Sequence, residues 1–581
     1  SWFIAFITEA IRRAKRGRVV SEAKESRTDR AKAAAATGVM SHRQIMLVLA
    51  GLMSGMFLAA LDQSVVGTAM RTIADDLDGL ALQAWATTAY LITSTISTPI
   101  YGKLGDIFGR RPLFMIAISI FVVGSVTSGF AQTMYELAAY RGLQGLGAGG
   151  LFSLALTIVA DIVSPKERAK YQGYFLAVFG TSSVIGPLVG GLFAGIDSIL
   201  WIDGWRWVFL INLPIGIISL IMVVTFLHVP HFPRPQKIDW WGAVTVILGV
   251  VPLLIVAEQG REWGWTSPIA MAYYATSVIG ITAFIFIERA MGEAALIPLT
   301  LFTNSTFALT QILGIIVGIG MFGGMIILPL VLQIAYGVTP TQSGLLMLPM
   351  VVGMATATTL SGRITSRTGK YKIFMNLGTA ILTLGYGYFF LILDAATPLW
   401  MVSAGMVIVG LGLGQLMQTL MVSSQNSVPA RDIGVATSSA TFFRQMGGTL
   451  GVAVFLSILF SRLEETVTEA FANPTVMSEL SSATQDPAVL ADPNNQALLS
   501  SLQSGSAEGA LTSDSSFLIG ADDRLTAPFR MGFVEASLDV FFWAAVVLVV
   551  GFAISWFIKE IPLRDKSASQ EAAEERLAAL G

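Results

Sequence analysis

This sequence predicts an all-α polytopic membrane protein: two six-helix bundles with two extra helices inserted between them, fourteen spans in all. Three observations carry that prediction. Apolar residues make up 54% of the 581-residue chain and charged ones only 13%, about half the charge of an ordinary soluble domain. The charges fall in short clusters between apolar runs of roughly 20 residues, the length a helix needs to cross a hydrocarbon core about 30 Å thick. Finally, the second half repeats features of the first at an offset near 260 residues.

Apolar windows place the first six spans at 45–70, 83–101, 112–132, 135–160, 171–195 and 205–227. Two inserted spans follow at 241–258 and 269–287. The last six are expected at 306–334, 340–360, 373–393, 399–422, 433–460 and 535–557. Counting Lys and Arg on alternate sides puts 28 on one side, six on the other and two, Arg141 and Arg444, inside spans. Positively charged loops stay in the cytoplasm, so both termini are expected there, in a multi-pass protein of the plasma membrane. That basic side serves below as the reference direction.

The chain divides into a basic tail (1–43), a first bundle (44–228), a linker with two spans (229–305), a second bundle (306–560) and a C-terminal tail (561–581). Within the first tail, Trp2-Phe3-Ile4-Ala5-Phe6-Ile7 precedes Arg12, Arg13, Lys15 and Arg16, a pattern that fits an interfacial amphipathic helix or a frayed basic end. On the far side, residues 463–533 are rich in Ser, Ala, Asp and Asn. Asn473-Pro474, Asp486-Pro487 and Asp492-Pro493 interrupt any long helix there. The segment reads as a solvated cap or partly disordered loop, or else as a docking site for an accessory envelope protein.

Several function classes are excluded by composition. There is no cysteine, and the three histidines, His42, His228 and His231, lie outside the apolar runs. No thiolate metal site, disulfide framework or intramembrane imidazole chemistry is available. No phosphate-binding Gly-Lys-Ser/Thr loop offers ATP drive. Neither an enzyme nor a nucleic-acid binder is expected, and no metal or cofactor; energy has to come from an ion gradient. A sensor that binds without translocating is the remaining alternative of a different class.

The internal repeat is carried by two loops. Gly102-Lys103-Leu104-Gly105-Asp106-Ile107-Phe108-Gly109-Arg110-Arg111 answers Gly362-Arg363-Ile364-Thr365-Ser366-Arg367-Thr368-Gly369-Lys370. Gly145-Leu146-Gly147-Ala148-Gly149 answers Gly410-Leu411-Gly412-Leu413-Gly414, and Pro165 answers Pro429. Parallel six-span repeats place a substrate site at their interface near the bilayer midplane.

With these residues the chain resembles the major facilitator superfamily, and within it the fourteen-span drug:proton antiporters typified by the EmrB and QacA exporters. The loop 102–112 is similar to the superfamily's widespread signature. Arg141-Gly142-Leu143-Gln144-Gly145-Leu146-Gly147 is similar to the fourth-span signature, and Gly186-Pro187-Leu188-Val189-Gly190-Gly191 to the fifth-span signature of exporters. Trp205-Arg206-Trp207-Val208-Phe209-Leu210-Ile211-Asn212-Leu213-Pro214 resembles the fourteen-span branch. The first span keeps the family's acid, Asp62, but Gly67 and Met70 stand where that pattern has Asn and Pro. The resemblance implies proton-coupled export of amphipathic drugs. Export of an endogenous lipid or metabolite, with drug efflux incidental, fits the same residues.

An ionised carboxylate deep in an apolar span costs at least about 2.5–3.5 kcal/mol, so Asp62 is the expected proton carrier. Arg141, which keeps its proton, is its expected partner; Arg444 in the thirteenth span is the expected counterpart in the second half. Gly102, Asp106, Gly109, Arg110, Arg111 and Arg168 form a basic gating region. The resemblance implies that Asp106 faces a helix of the second bundle, expected to be the thirteenth span starting near Asp432, and that this contact locks one state. Gly145, Gly149, Gly186, Pro187, Gly190 and Gly191 allow close packing or bending, several at G-x-x-x-G spacing. Trp85, Tyr90, Gln144, Gln311, Met321, Met325, Gln415 and Gln418 are candidates to line a central cavity. Asp161, Glu258, Glu288 and Asp539 fall near span ends, where capping or snorkelling would account for them. The expected partners are protons, an amphipathic small molecule and the bilayer.

Overall fold

The computed structural model describes residues 41–77, 83–227, 237–503, 518, 520–571 and 574. The expected interfacial helix near the N-terminus lies outside these residues. The first bundle comprises α1 (His42–Asp76), α2 (Gln83–Phe108), α3 (Arg110–Ser128), α4 (Met134–Ile162), α5 (Pro165–Ala194) and α6 (Asn212–Phe226). The inserted pair is α7 (Trp240–Trp263) and α8 (Pro268–Met291). The second bundle is α9 (Ser305–Ala335), α10 (Leu348–Thr368), α11 (Lys372–Ile392), α12 (Leu399–Asn426), α13 (Ile433–Ala472) and α14 (Asp523–Phe557).

Helices are the required solution in hydrocarbon, since every backbone N–H and C=O must bond within its own segment. The ends are marked by residues suited to them. Thr133, Ser267 and Asn304 each accept a bond from a first-turn N–H of α4, α8 and α9, and Pro165 and Pro268 open α5 and α8.

Among the described residues, twelve helices are long and apolar enough to cross a membrane by length and composition. The two other expected spans, 83–101 and 171–195, fall in α2 and α5, which do not meet that measure. The count of fourteen crossings is therefore a proposal rather than a finding. In α2 the reason is visible: Thr and Ser interrupt the apolar run. Their hydroxyls bond back to their own helix, as Thr93 does to Ala89 O (2.8 Å) and Thr98 to Ser94 O (2.9 Å). Two other expectations need adjusting. The tenth span breaks at Met347 into Pro340–Leu346 and α10, and α13 and α14 extend well past the apolar run. A two-residue antiparallel ribbon, Ser198–Ile199 with Ile202–Asp203, joins α5 to the turn before α6.

The internal repeat is matched in packing. In the first bundle α4 packs on α2 and α3; in the second, α12 packs on α10 and α11. Both contacts run through the paired glycines. A Cβ on Gly145 or Gly149 would collide with Tyr90 O or Ser94 O of α2. One on Gly410 or Gly414 would collide with Met350 O or Met354 O of α10. The bundles meet through reciprocal pairs, α2 against α13 and α5 against α10, and α7 packs on both α2 and α13.

Gly186 and Gly190 seat α5 on α1, where added carbon would strike the Ser64 hydroxyl or lie 2.6 Å from Val65 O, whereas Gly191 faces nothing within 4 Å. Gly186→Val is expected to cost about 1–3 kcal/mol through overpacking. Gly191→Ala should stay within about 1 kcal/mol of wild type. Unfolding titrations in mixed micelles compare the two, and equal losses would refute the packing assignment for Gly186.

Among its described residues the far-side segment is built of short helices. Each Asx-Pro pair starts a helix instead of merely ending one. Asn473, Asp486 and Asp492 cap the helices Pro474–Thr484, Pro487–Ala491 and Pro493–Asn495. Gln496–Gln503 continues the cap, and Leu480, Ala483, Val489, Leu498 and Leu518 are buried beneath it. Arg524 draws the cap down, at 3.0 Å from Asp486 and 3.1 Å from Asp522. Its hydrogen bonds hold both carboxyls below the usual carboxylate range. A lowered folded value contributes stability at neutral pH that disappears as pH falls through it, below about 4. Amides of 487–503 should therefore exchange faster, relative to intrinsic rates, at pH ~3 than at pH ~7. Arg524→Gln should remove that dependence.

Candidate functional site

The sequence places Asp62 in the middle of α1 and Arg141 two turns into α4, and the fold brings them together. Arg141 Nη1 lies 2.6 Å from Asp62 Oδ2, and both side chains are buried, 2% and 0% exposed. The other carboxylate oxygen accepts from Gln144 Nε2 at 2.9 Å and from Asn212 Nδ2 at 2.7 Å. Gln144 Oε1 in turn accepts from Arg141 at 2.7 Å, and Asn212 also donates to Ser125 Oγ at 2.9 Å. Tyr90 of α2 lies flat under the guanidinium, 4.2 Å from its ring centre, an added attraction for a desolvated cation. Helices α1, α2, α3, α4 and α6 thus share one polar node in the apolar core of the first bundle.

A buried pair of this kind depends on the hydrogen bonds around it; here Gln144 and Asn212 supply them, while Arg141 Nε, Asn212 Oδ1 and Tyr90 Oη find no partner among the described residues. Any proton that lands on Asp62 removes the charge Arg141 is paired with and forces the node to rearrange. Asn212 and Ser125 were not singled out from the sequence. Asn212 lies in the Trp205–Pro214 stretch, whose other members have structural posts: Trp205 Nε1 donates to Asp76 at 2.8 Å, and Arg206 reaches Gly129 O and Ala131 O.

The gating residues gather at the basic end of α2, where the two bundles touch. Gly102 lies against Ser438, and the Asp106 carboxylate lies where a Cβ on Gly434 would be, over the first turn of α13. That places a negative group at the positive end of a helix dipole, on the element expected. Arg110 bridges Asp106 (2.6 Å) and Asp161 (2.7 Å). Gly109 has φ +96°, a conformation that favours glycine. Arg111 bonds Val224 O at 2.7 Å, inside the first bundle. Arg168 is buried; it donates to Gln425 of α12 and to Ala160 O and Val163 O. In the second copy Ser366 turns back onto its own helix through Arg363 O, so the gate is one-sided.

Other expectations change. Among the cavity candidates, Gln144 belongs to the Asp62 node, Gln311 donates to Ser424 (3.0 Å) and Gln415 to Leu411 O of its own helix (3.1 Å). Tyr90 is buried under Arg141, Met321 is buried and Trp85 is half-buried. The Met325 side chain lies outside the described residues. Arg444 is not a mirror of Arg141, since it has no carboxylate partner among the described residues.

Asp161 and Glu288 do more than cap or snorkel. Asp161 is the second anchor of Arg110, and its backbone carbonyl accepts from Ser569 of the C-terminal tail (2.7 Å). Glu288 and Asp239 together hold the linker, accepting from Ile297 N (2.9 Å) and Leu296 N (3.3 Å). Sequence position near a span end hid both roles: the partners of Asp161, Arg110 and Ser569, lie on distant segments, and Glu288 accepts from a backbone N–H that carries no side-chain signal.

Known proteins resemble this chain in sequence and in fold. The sequence profile of the Major Facilitator Superfamily matches residues 52–452. The chain is 35% identical over 536 residues to the multidrug transporter protein MdtP of Bacillus subtilis (strain 168), covering 92% of this chain and 96% of that one. It is 34% identical over 430 residues to multidrug resistance protein 3 of the same organism, covering 73% and 81%. Among solved structures, the proton:xylose symporter XylE bound to 6-bromo-6-deoxy-D-glucose matches 92% of this chain and 99% of its own. The TM-score is 0.53 at 14% identity, a likeness of fold alone.

Proposed function

This chain belongs to the Major Facilitator Superfamily, and we propose that it exports amphipathic small molecules in exchange for protons by alternating access. In this reading it spans the plasma membrane with both termini in the cytoplasm. The carrying observation is the buried Asp62–Arg141 pair, a charge couple in the core of one moving bundle. A proton arriving from outside neutralises Asp62, freeing Arg141 and loosening the contacts that tie α1, α4 and α6. The proton leaves to the cytoplasm when the pair re-forms. The contacts of Gly102 with Ser438, Asp106 with Gly434 and Arg168 with Gln425 keep the cytoplasmic side closed in the arrangement described. Cargo then exchanges with the outside. The two Bacillus relatives, a multidrug transporter and a multidrug resistance protein, support drugs as cargo.

The energy is adequate, about 2.3 kcal/mol per charge per 100 mV plus the pH gradient. The test is transport in proteoliposomes of amphipathic dyes of either charge, with an imposed pH gradient. Concentrative movement that stops on adding an uncoupler is expected. Movement that persists unchanged after the gradient collapses would reject antiport.

A further inference from the structure

We propose that Arg444 and Gln418 form a subsite for an acidic group on the cargo, so that the exporter favours amphipathic organic anions; this rests on the exporter reading above. Gln425 Nε2 of α12 donates to Thr437 Oγ1 of α13 at 2.8 Å, and Gln425 also receives Arg168 of the first bundle. That contact therefore lies where the second bundle faces the first.

From it, Gln418 is seven residues back along α12 and Arg444 seven residues forward along α13. The two helices run in opposite directions, so both steps travel the same way, about 10 Å toward the bilayer centre at 1.5 Å per residue. Seven residues is also two turns, so each side chain returns to the face it started from. Gln418 and Arg444 are brought to one level, on faces turned toward the first bundle. Independent contacts agree. The backbone of Arg444 touches Gly318 of α9, while Gln445 beside it accepts from Thr98 of α2 at 3.1 Å. Arg444 therefore projects between an α9 face and an α2 face, into the cleft between the bundles.

Neither group has a partner among the described residues. Gln418 is 1% exposed, and neither its amide oxygen nor its nitrogen has a hydrogen bond. Arg444 is half-buried, with no carboxylate partner among the described residues. By contrast the other intramembrane arginine, Arg141, is paired. A buried amide left without partners and a guanidinium left without a counter-ion are each costly. A carboxylate, sulfonate or phosphate on the cargo satisfies both at once, since guanidinium offers a planar fork of donors and the amide adds one more.

The experiment uses naphthalene-sulfonate and naphthyl-trimethylammonium, matched in size and opposite in charge. Equilibrium dialysis is run against the full chain in nanodiscs, with empty nanodiscs subtracted. Wild type should bind the anion more tightly than the cation. Arg444→Gln should weaken the anion roughly ten- to a hundredfold and leave the cation unchanged or tighter. Arg444→Lys should recover part of the loss, and Gln418→Leu should weaken the anion by a smaller factor. Thermal melting of each variant checks folding. Equal weakening of both probes in Arg444→Gln, or no binding of the anion by wild type, overturns the proposal. If anion binding depends on Arg444 but no probe is transported, the exporter reading fails and the subsite stands. If the cation is pumped and Arg444→Gln changes nothing, the reverse holds.

Discussion

Asp62→Asn is expected to abolish gradient-driven efflux and to destabilise the protein by about 3–5 kcal/mol, the cost of leaving one partner of a buried ion pair without its counter-charge. The node explains both effects. Asn keeps an oxygen for Gln144 or Asn212, so the hydrogen bonds to the old Oδ1 position survive in part. What it cannot supply is the charge facing Arg141 at 2.6 Å. The two effects separate in the double variant Asp62→Asn with Arg141→Met, which removes both charges. Replacing a buried pair by apolar or neutral groups is often neutral for stability. The double variant should therefore melt closer to wild type while remaining inactive in proton-driven transport. Pumping that survives in Asp62→Asn and is still abolished by an uncoupler would assign the proton route elsewhere. Recovery of transport along with stability in the double variant would mean that the pair is structural only.

Gly102→Val should open the basic side. A Cβ at this position collides with Ser438 of α13, and neither element can yield easily. Gly105 of the same helix lies against Leu154, and Ser438 belongs to a buried run from Ile433 to Ser439. The clash exists only when the bundles are closed on that side. An overpacking penalty of about 1–3 kcal/mol therefore acts on the closed state alone and shifts the open-to-closed ratio roughly five- to 150-fold. The chain contains no cysteine, so a single Thr437→Cys reports access without background. A membrane-impermeant maleimide applied from the basic side should label it slowly in the parent and faster by that factor with Gly102→Val. An unchanged rate would show that this contact does not set the closed state.

Much of this architecture was legible in sequence because its signals are local. An apolar run of about 20 residues has few other uses, and Thr133, Ser267 and Asn304 announce helix starts by chemistry available within three residues. The glycine pairs at 145/149 and 410/414 could be read as close-packing sites, although not what they pack against. Asp62 and Arg141 stood out because a charge in an apolar run is expensive wherever the run ends up. The helices of the cap were not legible for a related reason. Its composition is polar, yet the few apolar side chains at Leu480, Val489 and Leu498 find buried positions only once α13 and α14 extend beyond the apolar run to receive them.

By itself, then, the sequence determined that this chain forms long apolar helices in two related halves, with one acid and two arginines paid for in the membrane. Only the tertiary structure decided which polar groups meet. It tied Asp62 to Gln144 and Asn212 as well as Arg141, gave Asp106 to the first turn of α13, held the linker with Asp239 and Glu288, and left Arg444 and Gln418 without partners among the described residues. The physical reason is range. Burial and helix formation depend on neighbours along the chain, whereas a hydrogen bond is made or lost over a few tenths of an ångström between segments up to 408 residues apart, as with Ser569 and Asp161.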